Sequence, residues 1–124
     1  MDRLDAVLAT IREQAEAAER TIDKSQQLAR ETERLRVSAE SARHEVRVTV
    51  DGVGQMVDVE FLTSLHSLDP RELSGWVLQA HRTAKARLTD EVARLGEEIL
   101  GRDSAAAATI VDSYASTFGR EEAR

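Results

Sequence analysis

The stretch that decides the fold is residues 46–61, which read VRVTVDGVGQMVDVEF. Valines alternate with polar residues before and after Asp51-Gly52, a pair that favours the positive φ angles of a tight hairpin turn. The stretch therefore predicts two antiparallel strands. A turn of two residues pairs Val46 with Val57, and a turn of four residues keeps the same parity, so both turns place the apolar residues on one face.

The two faces of this hairpin differ in polarity. The apolar face, which we expect to be buried, is formed by Val46, Val48, Val50, Val57, Val59 and Phe61. The polar face is formed by Glu45, Arg47, Thr49, Met56, Asp58 and Glu60. An isolated hairpin is only marginally stable, so a further strand is expected. Leu35, Val37 and Ala39 alternate in the same way and predict it, and a connection at residues 40–43 then places Val37 opposite Val46.

The N-terminal segment predicts a helix of about thirty residues with a heptad stripe. Its apolar residues recur alternately four and three positions apart, and they are Leu4, Leu8, Ile11, Ala15, Ala18 and Ile22. Such a helix is about 45 Å long, which exceeds what a small core covers. Part of the stripe therefore needs a helical partner, either the second long helix of the same chain or another subunit.

The second long helix has the clearest start signal in the chain. Asp69 is a good N-cap and Pro70 suits the first helical position. One apolar stripe then runs to Ile99, Gly101 breaks the helix, and a short helix follows over residues 104–118. The predicted fold class is α+β: a long N-terminal helix, a three-stranded antiparallel meander, a long second helix and a short C-terminal helix.

This organisation is expected to form a single domain over residues 1–124. Its parts are a helical arm at 1–33, a sheet at 34–62, a helix at 69–100 and a C-terminal helix at 104–118. The net charge of −6 disfavours a chain that coats nucleic acid by bulk electrostatics. The absence of cysteine, of a signal-like N-terminus and of a membrane-spanning apolar run favours a cytoplasmic protein with no membrane partner.

The sequence carries no pattern typical of an enzyme, a cofactor or a small-molecule substrate. His44, His66 and His81 have neither the spacing nor the cysteines of a zinc site. The Gly52-Val53-Gly54 spacing is followed by a strand rather than a helix, so it does not fit a phosphate-binding loop. No nucleophile motif is present. We therefore expect a protein that acts by binding.

Two groups of basic residues are candidates for DNA contact. The first lies on the second long helix and comprises Arg82, Lys85 and Arg87. The second lies near the first two strands and comprises Arg34, Arg36, Arg43 and Arg47. A solvated helix face is the simpler explanation of the first group, since most charge clusters do no more than that. No aromatic residue is interleaved with the arginines to stack on single-stranded bases.

The hairpin and the second helix start resemble those of the YbaB/EbfC family of nucleoid-associated proteins. The residues that carry the resemblance are Val46, Val48, Thr49, Val50, Asp51, Gly52, Val57, Asp58 and Val59, followed by Leu68, Asp69, Pro70, Leu73, Val77, Ala80 and Ala84. The resemblance implies a homodimer joined around the sheets that binds DNA in the nucleoid without chemical conversion. The Ala/Glu/Arg-rich first helix and the extra C-terminal helix depart from the family pattern.

Two functional hypotheses follow. In the first, a cytoplasmic homodimer binds duplex DNA through phosphates with low sequence preference, using Arg34, Arg36, Arg47, Arg82, Lys85 and Arg87. Its expected dimer interface comprises Leu4, Leu8, Ile11, Val46 and Val48. In the second, the heptad helix and the acidic surface engage another protein, so that the chain is an adaptor or assembly factor that does not bind DNA.

Overall fold

A computed structural model of the chain describes residues 2–64 and 68–120. Its elements, in chain order, are α1 (Arg3–Glu33), β1 (Val37–Glu40), β2 (Val46–Val50), β3 (Met56–Phe61), α2 (Pro70–Leu100) and α3 (Ala105–Phe118). The three strands form one antiparallel sheet in the order β1-β2-β3. The predicted fold class and the meander are thus confirmed, whereas His66 lies outside the described residues.

The turn between β1 and β2 lies two residues later than predicted. Val37 pairs with Val50 rather than with Val46, although it still lies on the apolar face. The cause is Ser41, which is buried and whose backbone N–H donates to the carbonyl of Val46 at 2.9 Å. Its Oγ accepts the backbone N–H of Val46 at 3.1 Å, so the strand pairing extends to Ser41 and residues 42–45 make the turn.

The register between β2 and β3 also differs from both predicted turns. Val48 pairs with Val59 and Val46 with Phe61, so the predicted pairing of Val46 with Val57 is wrong. The loop is longer because the Asp51 carboxylate accepts the backbone N–H groups of residues 53 and 55, each at 3.0 Å. A side chain that satisfies loop amides in this way stabilises a wider turn than the Asp-Gly pair alone predicts.

A bulge in β3 exchanges the environments of two neighbouring residues. Thr49 pairs with Asp58 but Val50 pairs with Met56, which leaves Val57 as the extra residue. Met56 consequently packs against the core, although it was predicted on the polar face. Val57 was predicted in the core and is 47% exposed instead.

The core forms where α2 lies across the valine face of the sheet. Its buried residues are Val37, Ala39, Val46, Val48, Val50, Ala80, Ala84, Leu88 and Val92. The alanines leave room for the α2 backbone to approach the strands closely. Val46 and Val48 have no exposed surface in this arrangement, so their predicted place in a dimer interface does not fit the structure.

The ends of α2 and α3 follow the local sequence signals. The Asp69 carboxylate accepts the backbone N–H of Arg71 at 3.0 Å and caps α2. The Ser104 hydroxyl accepts the backbone N–H of Ala107 at 3.1 Å and caps α3. The two helices pack closely where Gly96 meets Ala107, since a Cβ on Gly96 would lie 3.3 Å from that of Ala107.

The first helix extends away from this core. Leu28, in its last turns, is its buried residue. The heptad stripe is exposed in the single chain, with 48% of Leu8 and 62% of Leu4 accessible. The option of an intramolecular seam against α2 is therefore wrong for this stripe. Within residues 2–64 and 68–120, no helix combines the length and hydrophobicity needed to cross a membrane.

Close contact between the hairpin turn and the end of α1 predicts a sharp difference between two glycine substitutions. A Cβ on Gly52 would collide with the backbone carbonyl of Thr32. We expect Gly52→Ala to lower the free energy of unfolding by about 2 to 4 kcal/mol in urea denaturation. Gly75→Ala is the matched control, because it meets nothing within 4 Å and should stabilise α2 by up to about 1 kcal/mol. Equal effects of both substitutions would contradict this packing.

Candidate nucleic-acid interface

The polar face of the sheet is organised around Arg47. Its guanidinium contacts the Glu40 carboxylate at 3.3 Å and the Glu60 carboxylate at 3.0 Å, so it ties together all three strands. His44 lies 2.9 Å from the other oxygen of Glu40. Two carboxylates thus surround the single guanidinium. Arg47 is therefore poorly suited to the phosphate contact predicted for it, and this face is not the best candidate interface.

The Glu40 carboxyl is held in its charged form by these neighbours. Its pKa is lowered from the ordinary value chiefly by the hydrogen bond from His44, which outweighs an opposing effect of burial. The charges of His44 and Arg47 lower the pKa further. Charge on Glu40 therefore persists to lower pH than in an isolated glutamate.

The basic group predicted on α2 is divided by the helix. Successive helical residues are rotated by about 100°, so neighbouring side chains leave α2 in different directions. Lys85 is on the side of α3, where its Nζ lies 5.9 Å from the centre of the Phe118 ring. Arg87 is on the opposite side, where it donates to the carbonyl of Ser38 at 3.2 Å. The three residues therefore do not form one patch.

Arginines from both predicted groups meet instead along the line where α2 passes β1 and the β1–β2 turn. We call this line the α2–β1 seam. It contains two open cavities of about 500 and 410 Å³. The first cavity is lined by Arg43 and Arg82, together with Trp76 and Gln79. The second is lined by Arg36 and Arg87. Sequence reasoning placed Arg36 and Arg87 in separate groups because nothing local shows that α2 crosses beside β1.

The carboxylates of the second cavity are paired with other arginines. Asp90 contacts Arg120 at 3.0 Å, and Glu91 contacts Arg94 at 2.9 Å. Arg36 donates to the backbone carbonyl of Leu35 at 2.7 Å, as Arg87 does to that of Ser38. A guanidinium carries five N–H donors, and both of these guanidinium groups line the same cavity. The cavity can therefore present two guanidinium groups to a phosphate.

The first cavity is more nearly balanced in charge. Glu45 and Glu72 line it beside Arg43 and Arg82. Burial would raise the pKa of Glu45, but the hydrogen bonds from the Ser41 hydroxyl and from backbone N–H groups lower it below the ordinary value. The Glu45 carboxylate is thus already engaged by hydrogen bonds from its own turn. Arg34, the remaining predicted contact, pairs with Glu31 at 3.3 Å and lines neither cavity.

Comparison with known protein families identifies the chain. Residues 6–102 match the YbaB/EbfC DNA-binding family, so the chain belongs to this family. Membership of this non-enzymatic family implies a DNA-binding protein of the nucleoid. The match extends from α1 to just beyond the end of α2, and α3 lies outside it. No curated protein matches the chain.

The hydrogen bond between His44 and Glu40 predicts a shift in one titration. His44→Ala removes the largest cause of the lowered pKa of Glu40, so that pKa should rise toward its ordinary value in an NMR titration of the carboxyl carbon. Because the lowered pKa stabilises the folded state above the ordinary pKa, this contribution is lost as the pH falls through the lowered value. His81→Ala is the control, since His81 contacts Gly54 instead. An unchanged titration of Glu40 in His44→Ala would contradict the assignment.

Proposed function

We propose that this member of the YbaB/EbfC DNA-binding family binds duplex DNA through phosphate contacts at the α2–β1 seam, with low sequence preference. The observation that carries the proposal is the second cavity, where Arg36 and Arg87 lie together while Asp90 and Glu91 are paired with other arginines. Guanidinium groups match the planar, bidentate geometry of phosphate oxygens. The seam therefore brings four arginines together on a chain whose net charge is −6.

Low sequence preference follows from the kind of contact. Phosphate contacts fix the position of a protein on the duplex and carry no sequence information directly. The arginines of the seam lie along the side of α2 and beside β1 and the β1–β2 turn. The proposed site contains no element that reads base edges. Arg82 and Arg43 of the first cavity are placed as auxiliary contacts, because Glu45 and Glu72 share that cavity. Lys85 and Arg47 are omitted from the proposed site.

The proposed active form is a homodimer in the nucleoid of the cytoplasm, with residues 1–124 acting as a single domain. Two copies double a modest basic seam, which strengthens binding to a polyanion that spans both. The exposed heptad stripe of α1 supports self-association, because its apolar residues lie on a long helix that projects from the core and remain exposed within the described part of the chain. Leu4, Leu8 and Ile11 remain the proposed interface residues.

Neutralising the seam predicts a loss of both affinity and salt sensitivity. In a fluorescence titration with duplex DNA, changing Arg36, Arg82 and Arg87 together to Gln should weaken binding by about tenfold or more at 0.1 M salt. The slope of log affinity against log salt should fall by about one for each phosphate contact removed. The control changes Arg20, Lys24 and Arg102 to Gln, which alters the net charge equally away from the seam. Equal losses in both variants would contradict a site at the seam.

The exposed stripe also favours a second candidate function. An unpartnered heptad helix is a surface on which an adaptor engages a helical partner. In that case duplex DNA should show no measurable affinity near physiological salt. Leu8→Asp or Ile11→Asp should then abolish capture of the partner while the seam variants retain it. The DNA titration therefore separates the two candidates.

A further inference from the structure

Charged residues beside the heptad stripe of α1 indicate how two such helices would pair. Asp5, Arg12 and Glu19 each follow the second apolar position of a heptad. In a parallel pair of α1 helices, each of these residues would face a residue of the partner that directly precedes the first apolar position of a heptad. Those partner residues include Val7 and Gln14, which are uncharged. In an antiparallel pair they face one another. Only the antiparallel arrangement therefore brings these charges into contact.

The charges also select one antiparallel register. When Ala15 of one helix lies opposite Ala18 of the other, Arg12 lies near Glu19 of the second copy, and the contact occurs twice by symmetry. A shift of one heptad in one direction brings Arg12 against its own copy. A shift in the other direction brings Glu19 against its own copy. Like charges disfavour both shifts, and the small alanines at the centre permit close approach of the two backbones.

A cavity at the base of α1 supports the same register independently. It has a volume of about 280 Å³ and is lined by Ser25, Leu28, Ala29, Thr32, Glu33, Ile110 and Tyr114. In the selected register Leu8 of the second copy lies opposite Ser25, and Leu4 lies opposite Ala29. The first apolar side chain of each helix thus arrives at this cavity. Ile110 and Tyr114 belong to α3, so the cavity is built partly by the helix outside the family match.

We propose that the α1 helices of two copies pair antiparallel, centred between Ala15 and Ala18, with Leu4 of each copy at the cavity beneath the other copy's helix. Pairing over residues 4–29 covers about 38 Å of helix and buries the exposed stripe of both copies. The inference rests on the homodimer of the proposed function and assigns its interface. The DNA-binding seam lies on α2 and β1 of each copy, so the two proposals can fail separately.

Engineered cysteines test the orientation, because the natural chain contains none. Leu8→Cys and Ser25→Cys, prepared separately and then mixed under mild oxidation, should form mainly the mixed disulfide. Each variant alone should form little disulfide, because like positions lie about 25 Å apart in the antiparallel pair. A predominant homodisulfide of Leu8→Cys alone would indicate parallel helices and overturn the proposal.

Charge reversal tests the register by sedimentation equilibrium. Arg12→Glu and Glu19→Arg should each weaken the dimer by about tenfold, and the two together should restore it. Arg20→Glu is the matched control, because it lies on the outward side of the helix and should leave association unchanged. A chain that stays monomeric at about 0.1 mM, or a dimer indifferent to all three variants, would overturn the proposal. Binding of a short DNA duplex is measured in parallel. If DNA binding is absent while the dimer forms as expected, the result counts against the seam and not against this interface.

Discussion

The fold depends on burying the valines of β2 away from water. Val46, Val48 and Val50 project from one face of a small sheet, and α2 covers them with Ala80, Ala84, Leu88 and Val92. Burial of each valine contributes about 1.5 to 3 kcal/mol, which makes this contact the largest apolar contribution of the sheet to the core. The position of α2 on the sheet is therefore the one that buries both the valine face of the sheet and the apolar face of the helix.

The position of α2 in turn creates the candidate binding site. Because α2 crosses the valine face, its flank passes β1, and Arg87 comes beside Arg36 in one cavity. The same crossing turns Lys85 toward α3 and the Phe118 ring. Ion pairs with Arg120 and Arg94 occupy the nearby acids. A chain of net negative charge thereby acquires a local surface suited to phosphate, which is consistent with its membership of a DNA-binding family.

Local signals in the sequence predicted the elements but not their alignment. The alternation of valines, the Asp69 cap and the glycine at 101 give the strands and helix ends, because each acts over a few residues. The registers were wrong, since Ser41 extends one pairing, and the longer loop at Asp51 together with the bulge at Val57 shifts the other. The site was only partly predictable. The individual arginines are visible in the sequence, but their grouping depends on the long-range packing of α2 beside β1.

Amide hydrogen exchange across β2 and α2 tests the central claim most directly. If burial of the valine face holds the fold together, the amides of Val48 and Leu88 should belong to the same, slowest class and exchange only through global unfolding. Their exchange should then follow the free energy of unfolding measured with denaturant. Fast exchange of the β2 amides while α2 remains protected would show that the sheet opens without the helix, which would contradict the account.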